Sequence, residues 1–433
     1  MIATVIVSGI TVIGLISSVL FFPKIRVAKR EFSTFWMVGL IGALAIFIVG
    51  GITLKAFWQG LTASGGMNPL KILILFLSMT FLSVFLDEVG FFSYLATHVT
   101  AHARGGQKTL FFVVYGLVSV LTVFTSNDVV ILTFTPFLCY FAKNANISPV
   151  PYLVAEFCAA NTWSMMLIIG NPTNVYLASA SGITFLEYLK VMALPTVFAG
   201  VVQILVLLLL FRTQLKSPLS IEIVPKPLKE KLPVEAGIIH LAVCLVLLVF
   251  SSYMGLAMWL ICVVCALSLL ICSLVFTAVH KQKFLVLTHT VKRLPWTLVP
   301  FVLSMFTLVL ALKTQGVTNK ISGWLGQENV ILRYGVSSFL ACNLINNIPM
   351  SVLFATIPQM PTTLLTQQAI YATIIGSNVG AFLTPVGALA GIMFTELVRQ
   401  KQVKFTFKTF VFYGVALAIP TLIAALLGLA ILL

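Results

Sequence analysis

Charge is scarce in this sequence: 9% of its 433 residues are Asp, Glu, Lys or Arg, against 60% hydrophobic, where a soluble domain carries roughly a quarter charged residues. That shortage excludes a water-soluble globule. Acids are scarcer still, Asp and Glu together numbering 11, so each one inside an apolar run needs a reason. Motifs of nucleotide and hydrolytic chemistry are also missing, with no GxxxxGK[ST], no HExxH and no GxSxG anywhere in the chain. Any work the protein does must therefore draw on an ion gradient or a separate subunit. No stretch of domain size lacks hydrophobic runs, so the sequence offers no catalytic module and reads as a non-enzyme without a cofactor.

What is present is a succession of apolar runs of about 20 residues, long enough to cross a hydrocarbon core of about 30 Å. They predict an all-α polytopic membrane protein in the lipid bilayer. The first run, "MIATVIVSGITVIGLISSVLFF", lacks a basic leader and continues into "PKIRVAKR" rather than a small-residue cleavage site, so it is expected to stay as a helix. The net charge of +15 does not point to nucleic acid, because the cations cluster between apolar runs, the pattern that sets membrane orientation. Loops 23–31, 99–108, 143–151, 212–236, 280–293 and 399–408 hold 20 of the 26 Lys and Arg residues, and loops 55–71, 180–190, 313–333 and 358–366 hold the other six. The first set is therefore assigned to the cytoplasm of a plasma (inner) membrane protein, with both termini outside.

This sorting works only if two stretches, 109–142 and 334–357, enter the membrane and return to the face they left. Each carries a polar tip in mid-run, "TSND" at 125–128 and "INNIP" at 345–349, where a re-entrant hairpin can reverse. Each hairpin is followed by a run broken by helix-unfriendly residues: "GNPTN" (170–174) within 152–180, and "GSNVGAFLTPVG" (376–387) within 367–398. Pro172 and Pro385 cannot continue a helix ladder unaided. The chain thus reads as an inverted repeat, 1–211 and 237–433, joined by a basic linker at 212–236, with about ten transmembrane helices, two re-entrant hairpins and two broken helices. Interrupted segments at corresponding places point to a secondary transporter whose site lies near the bilayer midplane, since irregular backbone at that depth survives only where it lines a cavity.

The candidate site follows from those interruptions. The tips supply Ser126, Asn127 and Asp128 from one side and Asn343, Asn346 and Asn347 from the other. The breaks add Gly170, Asn171, Thr173 and Asn174, then Ser377, Asn378 and Thr384. Carboxamides and hydroxyls there can hydrogen-bond a polyhydroxylated or oxyanionic solute, although the same residues also make turns and satisfy freed backbone groups. Gly170, Gly376 and Gly387 permit close backbone approach.

An acid in the bilayer costs at least about 2.5–3.5 kcal/mol on insertion scales, which makes a functional role the default. Asp128 is the first candidate for proton coupling, because a desolvated carboxyl holds its proton until a solute or cation arrives; its alternative role is to cap the second hairpin arm. Asp87 and Glu88 in "FLDEVGFF" are the other proton-coupling candidates, or else they pair with a basic residue. Glu156, near the cytoplasmic end of its helix, is read as structural. Lys190 and Lys313 are read as snorkelling side chains, and His98 and His102 as loop-edge residues. The cysteines 139, 158, 244, 262, 265, 272 and 342 all lie in or beside apolar runs and are read as small buried hydrophobes rather than a metal or redox pair.

Taken together, "FLDEVGFF" (85–92), "SNDVVILTFTP" (126–136), "GITFLEYLKVMALP" (182–195), "NLINNIPM" (343–350) and "LTPVGALAGIMF" (383–394) resemble the arsenite/antimonite efflux permease family of the ion transporter superfamily over most of the chain. The resemblance implies a scaffold domain from the early helices of each repeat and a transport domain of hairpins and broken helices that moves against it in an elevator-like alternating-access cycle. It assigns Asn127 with the break at Gly170 to one half-site, Asn346 and Asn347 with the break near Thr384 to the other, and Asp128 to the family's acidic tip. It further implies efflux of arsenite or antimonite in exchange for protons, with sodium as the alternative coupling ion. Cys139, Cys158 and Cys342 are not expected to hold the arsenic.

One feature departs from the family: "GNPTN" is closer to the first break of anion-carrier branches, which keeps open a sodium- or proton-coupled organic or inorganic anion permease of the dicarboxylate, citrate or sulfate type. A third reading is a membrane subunit that answers to a soluble ATPase through the linker 212–236. Relatives include dimers and monomers, and no interface motif here selects a homo-oligomer.

Overall fold

The computed structural model describes residues 1–433 apart from 23, 28–29, 63–67, 102–105, 217–226, 229, 281–284 and 358–359. The first half runs through α1 (Ile2–Phe21), a two-stranded ribbon of β1 (Lys24–Val27) and β2 (Arg30–Ser33), α2 (Phe35–Ile48), α3 (Leu54–Leu61), α4 (Pro69–Glu88) and α5 (Phe91–Ala101). It continues with α6 (Gln107–Phe124), α7 (Asn127–Asn144), α8 (Val150–Trp163), α9 (Pro172–Ala180) and α10 (Phe185–Leu210). The second half holds α11 (Lys231–Phe250), α12 (Met258–Val279), α13 (Leu285–Arg293), α14 (Leu298–Thr314) and α15 (Val317–Leu325). After these come α16 (Val330–Ile345), α17 (Asn347–Phe354), α18 (Thr363–Gly380), α19 (Leu389–Gln400) and α20 (Phe407–Leu432).

The protein is a multi-pass helical membrane protein. Seven segments among the described residues are long and apolar enough to cross a bilayer, and α1, α2 and α16 contain shorter apolar helices. Lipid-facing stripes recur at helical spacing: Val197, Val201, Leu205 and Leu209 on α10, and Val415, Ile419, Ile423, Leu427 and Ile431 on α20, are all exposed. An exposed apolar row every fourth residue suits hydrocarbon rather than water. The reading of 23–31 as a plain basic loop missed the ribbon, whose strands pair antiparallel with Lys24 opposite Ser33.

Helix boundaries fall where local chemistry places them. Asn68 caps α4 with Pro69 at its first position, and Thr184 and Glu187 form a reciprocal capping box at the start of α10, both standard starts. The linker 212–236 ends inside structure, since α11 begins at Lys231. Residues 217–226 and 229 of that linker, to which the ATPase-docking role was assigned, lie outside the described residues, as does His102.

In the principal helix contacts α14 lies against α1 and α2, and α4 against α11, α12 and α13; α8 packs on α6, α7 and α10, α16 on α18, α10 on α20, and α7 on α19. The helices that lead into the two interruptions are the most enclosed, every residue being buried from Pro151 to Thr162 on α8 and from Ala369 to Gly380 on α18.

α18 approaches α16 so closely that only glycine fits at the contact. A Cβ on Gly376 would overlap Ser338 Oγ and the Gly335 carbonyl oxygen, and one on Gly380 would overlap Cys342 Sγ. Small residues four apart are how membrane helices bring backbones together without a hydrophobic driving force between them. Gly376→Ala is therefore expected to cost about 1–3 kcal/mol through overpacking, seen as a lowered melting temperature of the purified protein, and Gly376→Leu to prevent its accumulation. An alanine variant as stable as its parent would show that the two helices separate freely.

Candidate functional site

Both interruptions are built on one plan. In the first, α8 ends at Trp163, a 3₁₀ turn spans Ile168–Gly170 and α9 starts at Pro172. In the second, α18 ends at Gly380, a 3₁₀ turn spans Pro385–Gly387 and α19 starts at Leu389. The spacing is the same in each, so Asn161 corresponds to Asn378 and Gly170 to Gly387. Before each break the chain also switches helix at a polar tip, at Thr125 and Ser126 between α6 and α7 and at Asn346 between α16 and α17.

The first tip is tied to the first broken helix by side-chain amides. Asn127 Nδ2 donates to Asn161 Oδ1 at 3.1 Å, while Asn127 Oδ1 accepts from the Asp128 amide at 2.9 Å. Asn161 Nδ2 in turn donates to the Phe157 carbonyl at 2.8 Å. At the break, Asn171 caps α9 by accepting from the Thr173 amide and hydroxyl, both at 3.1 Å. Asn174 Nδ2 donates to the Ser164 carbonyl at 2.8 Å and, at 3.3 Å, to the Leu167 carbonyl, which also accepts the Gly170 amide. Gly170 lies against the Ser164 backbone, where a Cβ would collide with the carbonyl.

The second tip and break are joined by Asn343. Its Nδ2 donates to the carbonyls of Phe339 (2.9 Å) and Gly380 (3.0 Å), and its Oδ1 accepts from the Thr384 hydroxyl (2.7 Å) and amide (3.1 Å). Asn346, held at φ +69°, caps α17 through the Ile348 amide at 3.3 Å and donates to the Val386 carbonyl at 2.9 Å. With ψ at 154° this is a strained backbone region that residues other than glycine rarely adopt.

The Asn378 carboxamide joins the two breaks. Asn378 Oδ1 accepts from Asn171 Nδ2 (2.9 Å) and Ser164 Oγ (3.0 Å), and Asn378 Nδ2 donates to Asn174 Oδ1 (2.7 Å) and the Ile374 carbonyl (2.8 Å). Two donors and two acceptors are the full capacity of an Asn side chain, so Asn378 is saturated. Three buried neighbours in sequence are not: Ser126 Oγ, Asn347 Oδ1 and Ser377 Oγ make no hydrogen bond. A buried polar atom without a partner costs about 1–3 kcal/mol, and in a transporter such atoms are the natural contacts for a polar solute. Asn127, Asn171, Thr173, Asn174, Asn343 and Thr384 thus build and join the breaks, whereas Ser126, Asn347 and Ser377 hold free capacity.

The acids separate. Asp128 sits half-buried in the first turn of α7, where Ser126 is the N-cap; the capping role considered for Asp128 is therefore not the one it takes, though a carboxylate there faces the positive end of the helix dipole. Asp87 and Glu88 both ion-pair with Arg293 on α13, at 2.7 and 2.5 Å, with His289 at 3.6 Å from Glu88. Of the two readings of this pair, the basic partner is what the geometry displays. Glu156 is fully buried, both carboxylate oxygens facing the Thr135 hydroxyl at 2.9 and 3.0 Å. It stands in the middle of α8 rather than near a helix end, and is correspondingly enclosed.

Two spaces reach the second half-site. A cavity of about 800 Å³, lined by Thr34, Leu132, Pro385, Val386, Glu396 and Arg399 among others, opens at the α19 end of the molecule. Its Arg399 guanidinium is paired with Glu396 on the same helix. A smaller space of about 20 Å³, room for one water, lies between α1, α14 and the second tip and is lined by Phe301, Asn346 and Val386. Sequence reasoning missed Asn161, Ser164 and the pairing cation Arg293. Asn161 was findable, because "AAN" at 159–161 stands where "GSN" at 376–378 stands in the other repeat.

Comparison with known proteins places this geometry. Residues 25–376 match the family model described as Citrate transporter. Among similar proteins are arsenical pump membrane proteins of Escherichia coli K12 and Yersinia enterocolitica, each 27% identical with 82% of this chain and 85% of the relative covered. An uncharacterized transporter of Synechocystis is 23% identical over 90% of this chain and 91% of its own. Two solved transporters share the fold at low identity: YdaH of Alcanivorax borkumensis (TM-score 0.53, 15% identity, 99% of this chain and 97% of the other covered) and MtrF of Neisseria gonorrhoeae (TM-score 0.56, 13% identity, 99% and 94%). With a family match that runs from Ile25 in the ribbon to Gly376 within α18, this chain belongs to the citrate transporter family of membrane transporters.

Proposed function

We propose that the protein exports arsenite or antimonite across the plasma membrane in exchange for protons. The observation that carries this reading is the chemistry of the two joined breaks: carboxamides, hydroxyls and freed carbonyls around unpartnered Ser126, Asn347 and Ser377, with no guanidinium clamp in the hydrogen-bonded set. Trivalent arsenic and antimony hydroxides are largely uncharged at neutral pH, and a neutral polyhydroxylated solute is met by hydrogen bonds rather than by a bidentate cation. The names of the arsenical pump relatives, matched over most of the chain, support the same solute.

In this reading Asp128 carries the exchanged proton, since it stands at the tip beside Asn127. Alternating access moves α6–α9 and α16–α19 against a scaffold that includes α1, α2, α4 and α14. Apolar contacts suit such sliding: Ile348 and Ser351 of the second tip's helix and Pro172 and Tyr176 of α9 border a small space shared with Phe76, Leu298 and Val302. Termini outside and the large cavity facing the cytoplasm complete the arrangement.

A second reading, a sodium- or proton-coupled anion permease, is supported by the family's description and by the N-termini of α9 and α19 at the breaks, whose dipoles favour negative charge. Arsenite flux into proteoliposomes with and without an imposed pH gradient separates the two. Gradient-dependent arsenite accumulation is expected; no arsenite flux from folded protein, together with sodium-stimulated carboxylate uptake, would replace the first reading with the second.

Asp128→Asn is expected to abolish gradient-driven flux while the protein still folds and reaches the membrane, and pH-driven flux retained in that variant would remove Asp128 from the mechanism. Asn378→Ala leaves Asn171, Asn174 and Ser164 short of partners, at about 1–3 kcal/mol for each group left unsatisfied. Flux should fall tenfold or more, with a lowered melting temperature; a variant with parental flux would show that the junction between the breaks is dispensable.

A further inference from the structure

Four sulfur side chains converge away from the breaks. Cys244 Sγ on α11 lies 3.7 Å from Met79 Sδ on α4 and 4.0 Å from Cys262 Sγ on α12, and Cys265 lies three residues further along α12. All four are buried. Reading the cysteines one by one as packing residues did not reveal this, because Cys244 meets Cys262 only when α11 and α12 pack together.

The cluster also has an approach. A cavity of about 530 Å³ is lined by Leu75 of α4, Ser251 after α11, and Met258 and Trp259 of α12. Met79 is one turn deeper than Leu75, Cys262 one turn deeper than Met258, and Cys244 two turns back from Ser251. The floor of the cavity thus leads along three helices to the sulfurs.

We infer that Cys244 and Cys262, with Cys265 and Met79 beside them, form a thiol site that captures a trivalent arsenical outside the translocation path. Two As–S bonds form and two As–O bonds break, each thiol proton leaving with a hydroxide as water; arsenic stays trivalent, and neither oxidant nor reductant is needed. Cys265 can replace the third hydroxide in the same way. No group of three or more His, Cys, Asp or Glu among the described residues is arranged to hold a metal ion, so a metal centre is not the reading. A disulfide would have to draw the sulfurs to about 2 Å and would need an oxidant, whereas an atom seated between two thiolates leaves them near their present separation. Thiolates and thioethers favour soft centres, and trivalent arsenic is one. The choice of arsenic rests on the proposed function; the site rests on the sulfur geometry.

The test is non-denaturing mass spectrometry of the purified full-length protein incubated with arsenite. A single adduct is expected, heavier than the protein by one arsenous acid less two waters, or less three where Cys265 joins. It should disappear in both Cys244→Ala and Cys262→Ala and persist in Cys139→Ala, with monodisperse elution confirming that each variant folds; if one of the two does not fold, the other decides. No adduct on the parent protein, or an adduct that survives in a folded Cys244→Ala or Cys262→Ala variant, overturns the site. Because the readout is binding, it is separable from transport: an adduct on a protein that moves no arsenite leaves the site standing and removes the transport reading, and flux without an adduct does the reverse.

Discussion

The constraint on which everything else depends is that a helix broken inside hydrocarbon frees backbone groups that water cannot reach. Each such group left unpaired costs several kcal/mol, and this chain breaks two helices. Its answer is to supply amide side chains at the gaps. Asn174 takes the carbonyls of Ser164 and Leu167, and Asn343 takes the Gly380 carbonyl and the Thr384 amide. Asn378 then ties the two gaps to each other. The interruptions are therefore one polar junction enclosed by the buried lengths of α8 and α18, and a shift at either break is felt at the other.

Although the two repeats share spacing, they solve the problem differently. In the first, tip and broken helix are tied by Asn127 and Asn161; in the second the corresponding residue, Asn378, has turned across to the opposite break, and Asn343 ties its own tip instead. The unequal wiring makes the two half-sites chemically distinct.

Much of this was legible in the sequence, because it is announced by residue types that hydrocarbon does not tolerate without cause. Pro172 and Pro385 mark the breaks, and the Asn residues at 127, 343, 346 and 347 mark the tips. What stayed hidden was pairing across long sequence distance. "DE" at 87–88 does not say that Arg293 waits on α13, "AAN" does not say that Asn161 receives Asn127, and no spacing rule brings Cys244 to Cys262. The β1–β2 ribbon was invisible for another reason: four-residue strands among basic residues carry too little alternation to signal themselves.

The same junction bears on why solute charge is hard to read from fold alone. Helix N-termini at α9 and α19 would welcome an anion, yet Asn171 already caps α9 through its side-chain Oδ1, which accepts from the Thr173 amide and offsets part of that positive end. The guanidinium at the large cavity, Arg399, is likewise engaged by Glu396. The N-terminus of α19 at the second break carries no side-chain cap, so a solute there meets amides and hydroxyls beside one helix end that stays positive. Such a surface discriminates by the number and direction of hydrogen bonds, because an unmatched buried donor or acceptor is what penalises the wrong solute. On the proposed reading, a family described as citrate transporters can include a member that moves a small neutral hydroxide: the pairing of Arg399 with Glu396 and the Asn171 cap on α9 lower the positive charge near the breaks, and hydrogen-bond matching then selects the solute.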